Sequence, residues 1–124
     1  MGEEGGGTRK PTCRPRHAGC ALAEPLLEEG ARLRTACRGL LDSGGTDAEL
    51  TGCVAYPFLQ WLAVVAGGWQ WSIAARECLA GRTRGPLAPQ ILDCARFYGL
   101  HVLPRARTYA AQVEAGASVR GATL

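Results

Sequence analysis

Lysine is almost absent from this chain of 124 residues, because Lys10 is the only one and arginine supplies the rest of the positive charge. The arginines are scattered and the net charge is only +3, so the chain lacks the basic stripe that nucleic-acid binding requires. The sequence also lacks alternating β-branched runs bounded by turns, and it has no internal repeat. These absences predict an all-α chain that does not bind nucleic acid.

A signal peptide is also missing from the N-terminus, which is acidic and polar and has no apolar core. The chain nevertheless contains six cysteines, and none of them forms a C-x-x-C pair. Without a leader for export, we expect free thiols and a cytoplasmic protein. The cysteines are Cys13, Cys20, Cys37, Cys53, Cys78 and Cys94.

Only one group of side chains resembles a metal site by its spacing. Cys13, His17 and Cys20 lie within one short Pro/Arg-rich segment, and no fourth ligand is near them in the sequence. Structural zinc sites need four ordered ligands. We therefore predict no metal site.

Charge is absent from the long segment between Glu49 and Arg76, which holds all three tryptophans, Trp61, Trp69 and Trp71. A run of this kind must be hidden from water, either in lipid or against protein. Its length suits a membrane span, but proline, glutamines and glycines interrupt it and the tryptophans do not bracket its two ends. Packing against protein is therefore favoured, and a single-pass membrane protein is the weaker alternative.

The order of helical patterns divides the chain into two parts. Residues 1–23 are rich in Gly, Pro and Arg and have little apolar surface, which predicts a flexible tail. Residues 24–124 are predicted to form one helical domain. Its first helix begins near Pro25 and ends at a loop over residues 42–47, with Thr46 or Asp47 capping the next helix. A leucine-rich stripe marks this first helix and comprises Leu26, Leu27, Leu33, Leu40 and Leu41.

The second helix is predicted over residues 48–80, with a bend or a new start at Pro57. A breaker over residues 81–86 separates it from a third helix over residues 87–115, which should bend near Leu100 because of Pro104 and stop at Gly116. The expected fold is a three-helix, possibly four-helix, antiparallel bundle. One continuous face is predicted on the second helix, formed by Phe58, Leu62, Val65, Trp69 and Ile73.

Five short motifs follow one another in a recognisable order. They are Tyr-Pro-Phe-Leu at residues 56–59, Val-Ala-Gly-Gly-Trp at 65–69, Ala-Ala-Arg at 74–76, Ala-Arg-Phe-Tyr-Gly-Leu-His-Val-Leu-Pro at 95–104 and Glu-Ala-Gly-Ala at 114–117. The series resembles the C-terminal helical domain of bacterial acyl-CoA dehydrogenases of the methylmercaptopropionyl-CoA dehydrogenase type. This domain is also described as the acetyl-CoA dehydrogenase-like C-terminal domain. The resemblance covers the chain from about Pro25 onward.

This resemblance implies an FAD-dependent parent flavoprotein, an oxidoreductase of fatty acid metabolism that dehydrogenates an acyl-CoA thioester. The flavin and the catalytic carboxylate belong to domains that would lie upstream of Met1, so we expect the isolated chain to be inactive. No catalytic, cofactor-binding or metal residue is predicted in it. Glu77 and Asp93, each beside a cysteine, are interpreted as solvated or Arg-paired carboxylates, and His101 as a packing or capping residue.

The function predicted from these patterns is a packing or oligomerisation module, or a fragment, of an acyl-CoA dehydrogenase. Its partners would be an upstream flavoprotein portion or further copies of itself. A small helical interaction module unrelated to flavin chemistry, with the three tryptophans forming its partner surface, is the alternative. Three helices give only a thin core around a long Trp-rich helix, so we also expect self-association or poor solubility.

Overall fold

The computed structural model describes the backbone of residues 13–44, 48–83 and 85–119, and the side chains of residues 22–42, 48–83 and 85–116. Two long helices are followed by a bent helical arm. They are α1 (Cys13–Gly44), α2 (Ala48–Leu79), α3 (Ala88–Phe97), a π-helical turn (Tyr98–Val102) and α4 (Arg105–Val119). The part of the chain described here contains no strand. The predicted all-α bundle is confirmed.

The first helix is longer than predicted. It begins at Cys13 and passes through Pro25, whereas Pro25 was expected to start it. The added turns contribute Leu22, which is buried against Ala75 and Leu103, so tertiary packing offsets the low helix propensity of this segment. The helix also continues to Gly44, into the predicted loop. Residues 1–12 of the predicted tail and the predicted caps at residues 46–47 lie outside the described residues.

Only some of the leucines in the predicted stripe of α1 are buried. Leu26 is buried, but Leu27 and Leu41 are exposed, so the broad face predicted there is wrong at its edges. The inward positions follow each other at spacings of 4, 3, 4, 3 and 4 residues, which is one narrow helical face. These positions are Leu22, Leu26, Glu29, Leu33, Ala36 and Leu40.

The second helix is the central element and packs against α1, α3 and α4. Its bounds, Ala48–Leu79, agree closely with the prediction, and it continues through Pro57. A proline inside a helix costs about 3 kcal/mol. Here that cost is offset by the packing of the buried Val54 and Trp61 on either side of Pro57.

The predicted inward face of α2 is only partly correct, because Phe58 and Val65 pack against the core but other members do not. Trp69 and Leu62 are exposed, whereas Trp61 is buried in the core between α1 and α4. The helix is apolar on several sides, so more than one face fits a helical period and the period alone does not choose among them. The buried residues of α2 are Leu50, Val54, Pro57, Trp61, Gly68 and Ala75.

The breaker between α2 and α3 is confirmed. Gly81 and Gly85 have φ angles of 75° and 113°, which place both in the left-handed region that favours glycine. Glu77 also helps to hold this corner, because its carboxylate accepts hydrogen bonds from Arg82 Nε at 2.6 Å and Nη2 at 3.0 Å. The corner reverses the chain so that α3 returns along α2.

Near Leu100, where a bend was predicted, the helical arm is interrupted by a π turn, Tyr98–Val102, which lies one turn before Pro104. The Leu103 N–H donates to Tyr98 O at 2.8 Å, a bond of π-helical spacing. After it, α4 continues to Val119, so the predicted stop at Gly116 is wrong. A Cβ at Gly116 would lie 2.6 Å from Val54 Cγ1, so this glycine allows α4 to approach α2.

Candidate interaction surface

A row of large apolar and aromatic side chains lies in solvent along the outer side of α2. Tyr56 is 68% exposed, Leu59 59%, Leu62 44% and Trp69 57%. Exposed small or uncharged residues fill the positions among them: Ala63, Ala66 and Gln70. We call these seven residues the α2 stripe. A contiguous exposed apolar surface of this kind usually marks an interaction site.

The opposite side of α2 fixes which residues form the stripe. Trp61 is only 2% exposed, and its indole Nε1–H donates to Glu29 Oε2 of α1 at 3.2 Å. The Phe58 ring meets Trp61 edge-on, with centroids 6.5 Å apart. The Phe58 ring lies on α2 itself and supports the Trp61 ring from the same helix, whereas the bond to Glu29 comes from α1. Rotation of α2 about its axis would break the bond to Glu29 and remove Trp61 from the core.

A second anchor holds α2 one turn later. Tyr98, the first residue of the π turn, donates its hydroxyl hydrogen to Val64 O at 2.6 Å. Its ring covers Gly67, where a Cβ would meet the Tyr98 hydroxyl and lie 3.0 Å from Cζ. Burial raises the pKa of the Tyr98 phenol, because the charged phenolate would lose solvation. The Gly-Gly step therefore serves close helix packing, and the π turn places the tyrosine over it.

Glu29 is the polar centre of the bundle, and sequence reasoning missed it. The residue is only 5% exposed. Besides the indole of Trp61, its carboxylate faces two guanidinium groups, with Arg32 Nη1 at 3.8 Å and Arg107 Nε at 3.9 Å from Oε1. It thus connects α1, α2 and α4. A signal was present, because Glu29 occupies an inward position of the α1 stripe, where an acidic residue needs a partner.

The carboxylates and the histidine weighed from the sequence do not come together. Glu77 pairs with Arg82, whose hydrogen bonds lower the pKa of that carboxyl, and it also lies 3.7 Å from Arg76 Nε. Asp93 is exposed on α3. His101 is exposed in the π turn and stacks on Phe97 with ring centroids 4.7 Å apart. The Arg-paired interpretation of Glu77 and the packing interpretation of His101 agree with these contacts.

Metal-ligating side chains are dispersed. The residues described by the structure contain no group of three or more His, Cys, Asp or Glu side chains that could hold a metal ion. The side chains of Cys13, His17 and Cys20 lie outside the described residues. Among the described cysteines, four are free thiols: Cys37, Cys53, Cys78 and Cys94.

One end of the α2 stripe opens into a shallow groove of about 410 Å³ between α1 and α2. Trp69 and Ile73 form one wall, and Leu22 and Leu79 add to an almost wholly apolar lining. Among the described residues that line it, Arg76 alone is charged. This groove extends the apolar surface beyond Trp69, and its described lining has no convergent polar groups that would orient a substrate.

By length and composition, α2 could cross a membrane, and it is the one such helix among the described residues. The core helix of a soluble protein satisfies the same criterion. Helices α1, α3 and α4 cover one part of α2, where Trp61 and Val54 face protein, but only 28% of its most apolar window is buried. The described residues leave its outer stripe uncovered.

Comparison with curated proteins and with solved structures gives no match. Comparison with protein families gives one: the profile described as "Acetyl-CoA dehydrogenase C-terminal like" matches residues 10–120. The match begins before the predicted domain start at residue 24 and includes the early turns of α1. Since it covers most of the chain, the protein belongs to the acetyl-CoA dehydrogenase C-terminal-like family.

Proposed function

We propose that this chain is a packing and oligomerisation module of an FAD-dependent acyl-CoA dehydrogenase of the methylmercaptopropionyl-CoA dehydrogenase type, and that it is catalytically inactive on its own. The observation that carries the proposal is the uncharged α2 stripe, exposed on a domain of this family. Burial of such a surface against protein is favourable by about 25 cal/mol per Å². The role of the chain is therefore to contribute a surface to an assembly.

Dehydrogenation of a thioester needs a positioned carboxylate base and donors that polarise the thioester carbonyl. The most buried carboxylate among the described residues, Glu29, accepts a hydrogen bond from Trp61 and faces Arg32 and Arg107. Glu77 is similarly engaged by Arg82. Neither carboxylate lies beside donors arranged for an oxyanion, which supports an inactive module.

The described residues also do not fit FAD. A dinucleotide pyrophosphate is held by backbone N–H groups of a glycine-rich turn at a helix N-terminus, and a flavin ring needs a deep cleft. The glycines Gly67 and Gly68 are covered by Tyr98 and Leu26, and the groove beside Trp69 has an almost wholly apolar lining. The cofactor is therefore assigned to the flavoprotein portion of the parent enzyme.

Two further proposals concern location. Free thiols at the four described cysteines support a cytoplasmic protein. The contacts of Trp61 and Tyr98 across the bundle support α2 as a core helix rather than a membrane span. Expression without detergent tests the second proposal: the chain should remain in the soluble fraction after ultracentrifugation, and quantitative recovery with membranes would contradict it.

Co-expression tests the proposed function directly. The chain is produced with a flavoprotein portion of the same family that contains the N-terminal helical, middle β and catalytic helical domains. We expect the chain and the flavoprotein portion to co-elute in size-exclusion chromatography. We expect acyl-CoA-dependent dye reduction only in samples that contain the flavoprotein portion, and none with the chain alone. A stable monomer that does not associate, or turnover by the chain with FAD alone, would refute the proposal.

A further inference from the structure

The α2 stripe has an unequal distribution of side-chain size along its length. Its first half carries Tyr56, Leu59 and Leu62, whereas its second half begins with two small residues, Ala63 and Ala66, and ends with Trp69 and Gln70. Both halves are exposed. At 1.5 Å per residue the distance from Tyr56 to Trp69 is about 20 Å. Large and small halves of this kind are complementary to each other only when two stripes run in opposite directions.

We propose that the α2 stripe binds a second copy of itself, with the two α2 helices antiparallel and the twofold axis between Leu62 and Ala63. This inference rests on the proposed function, because it names the occupant of the surface that carries it. In this register Leu59 of each copy lies over Ala66 of the other copy. Tyr56 and Trp69 lie at equal distances from the axis, so each end of the pair receives one of each.

The charges that bound the stripe support the same direction. The first charge before it on α2 is Glu49, and the first after it is Arg76. Among the described residues at the second end, Arg76, Glu77 and Arg82 sum to one net positive charge. Antiparallel pairing brings ends of opposite sign together, and it also opposes the two helix dipoles. Parallel pairing would bring like charges together at both ends. Along the stripe itself no like charges meet, since it has no charged residue.

The available area is sufficient for a stable contact. The exposed fractions of Tyr56, Leu59, Leu62 and Trp69 correspond to roughly 450 Å², and the three smaller residues raise this to roughly 600 Å² per copy. Complete coverage of both stripes would bury roughly 1,200 Å² in total, which is the lower end of standard specific interfaces. The stripe is therefore large enough for a dimer only when nearly all of its exposed surface is covered.

A charge-pairing experiment on the full chain tests both the partner and the register. Sedimentation velocity over a concentration series measures the dimer dissociation constant of the wild type, Leu59→Glu, Ala66→Arg and a mixture of the two variants. Each variant alone should weaken dimerisation at least about tenfold, because each buries two unpaired charges. The mixture should recover most of that loss, because Glu at position 59 meets Arg at position 66. Leu41→Glu, at a position 74% exposed on α1, is the matched control and should dimerise like the wild type.

Circular dichroism checks that all variants keep the helical fold, which is expected because both positions are exposed. A wild-type chain that stays monomeric, or variants whose mixture does not recover, would overturn the inference. If the wild type is monomeric but Leu59→Glu abolishes binding to the flavoprotein portion, the surface has a different occupant and the proposed function still holds. If the chain dimerises in the proposed register but does not bind the flavoprotein portion, the inference holds and the proposed association with the flavoprotein portion is refuted.

Discussion

Replacement of Trp61 by phenylalanine should lower the free energy of unfolding by about 2–4 kcal/mol. The indole Nε1–H is the donor at 3.2 Å from the buried carboxylate of Glu29, and a hydrogen bond to a charged group contributes about 1.5–3 kcal/mol. The smaller ring also loses part of the apolar contact in a site that is only 2% exposed, which adds about 1 kcal/mol. Small domains have only about 5–15 kcal/mol of stability, so the effect is large.

Trp69→Phe is the matched control, since it is the same substitution in the same helix at a site 57% exposed. It should change the free energy of unfolding by less than about 0.5 kcal/mol. Urea unfolding is followed by far-ultraviolet circular dichroism, because both substitutions alter the fluorescence. The protein concentration is kept low enough for a monomer, so that contact between copies does not contribute.

Glu29→Met, which removes the oxygens that accept the indole hydrogen, separates the hydrogen bond from the loss of ring volume. If the indole and the carboxylate interact as the geometry indicates, Glu29→Met should cost less in the Trp61→Phe background than in the wild type, with a coupling energy of about 0.5–3 kcal/mol. Equal costs for Trp61→Phe and Trp69→Phe, or a coupling energy near zero, would refute the assignment of Trp61 and Glu29 as the link between α1 and α2.

Two further predictions concern the contact between Tyr98 and α2. Gly67→Ala should lower the free energy of unfolding by about 1–3 kcal/mol, because its Cβ would displace the Tyr98 hydroxyl from Val64 O. Gly52→Ala is the control, since the space around its Cβ is open, and it should raise the free energy of unfolding by up to about 1 kcal/mol in the same urea assay. Equal effects would contradict the packing role of Gly67. Because burial raises the pKa of Tyr98, this residue contributes to the free energy of unfolding fully below pH 10, and the contribution is lost as pH rises through the folded-state pKa. In alkaline urea titrations, the free energy of unfolding should therefore fall less steeply with pH in Tyr98→Phe than in the wild type. An unchanged slope would contradict the burial of this phenol.

Much of the backbone was predictable because proline and glycine act locally. The ends of α2 and the corner at residues 81–86 agree with the structure, and the π turn lies where a bend was predicted before Pro104. Local signals failed where packing opposed them. Helix α1 continues through Pro25, and α4 continues past Gly116, because Leu22 and Val54 supply contacts that propensity does not include.

The candidate surface was predicted only in outline. An uncharged run with three tryptophans indicated contact with protein, but it did not say which tryptophan is in the core. Trp61 and Trp69 lie eight positions apart on one apolar helix. The Trp61 ring is buried and donates to Glu29, whereas the Trp69 ring is exposed. Glu29 itself looked like one more surface carboxylate, although its place in the inward stripe of α1 could have marked it.

The sequence by itself determined an all-α chain with a long uncharged central helix, and its motif order indicated the family that the profile match shows. Those properties follow from composition, short-range periodicity and residue order. Only the tertiary structure decided the rotation of α2, because that angle depends on contacts between residues far apart in the chain: Trp61 with Glu29, and Tyr98 with Val64. The same contacts leave Tyr56, Leu59, Leu62 and Trp69 facing outward, and so define the surface on which the proposed function rests.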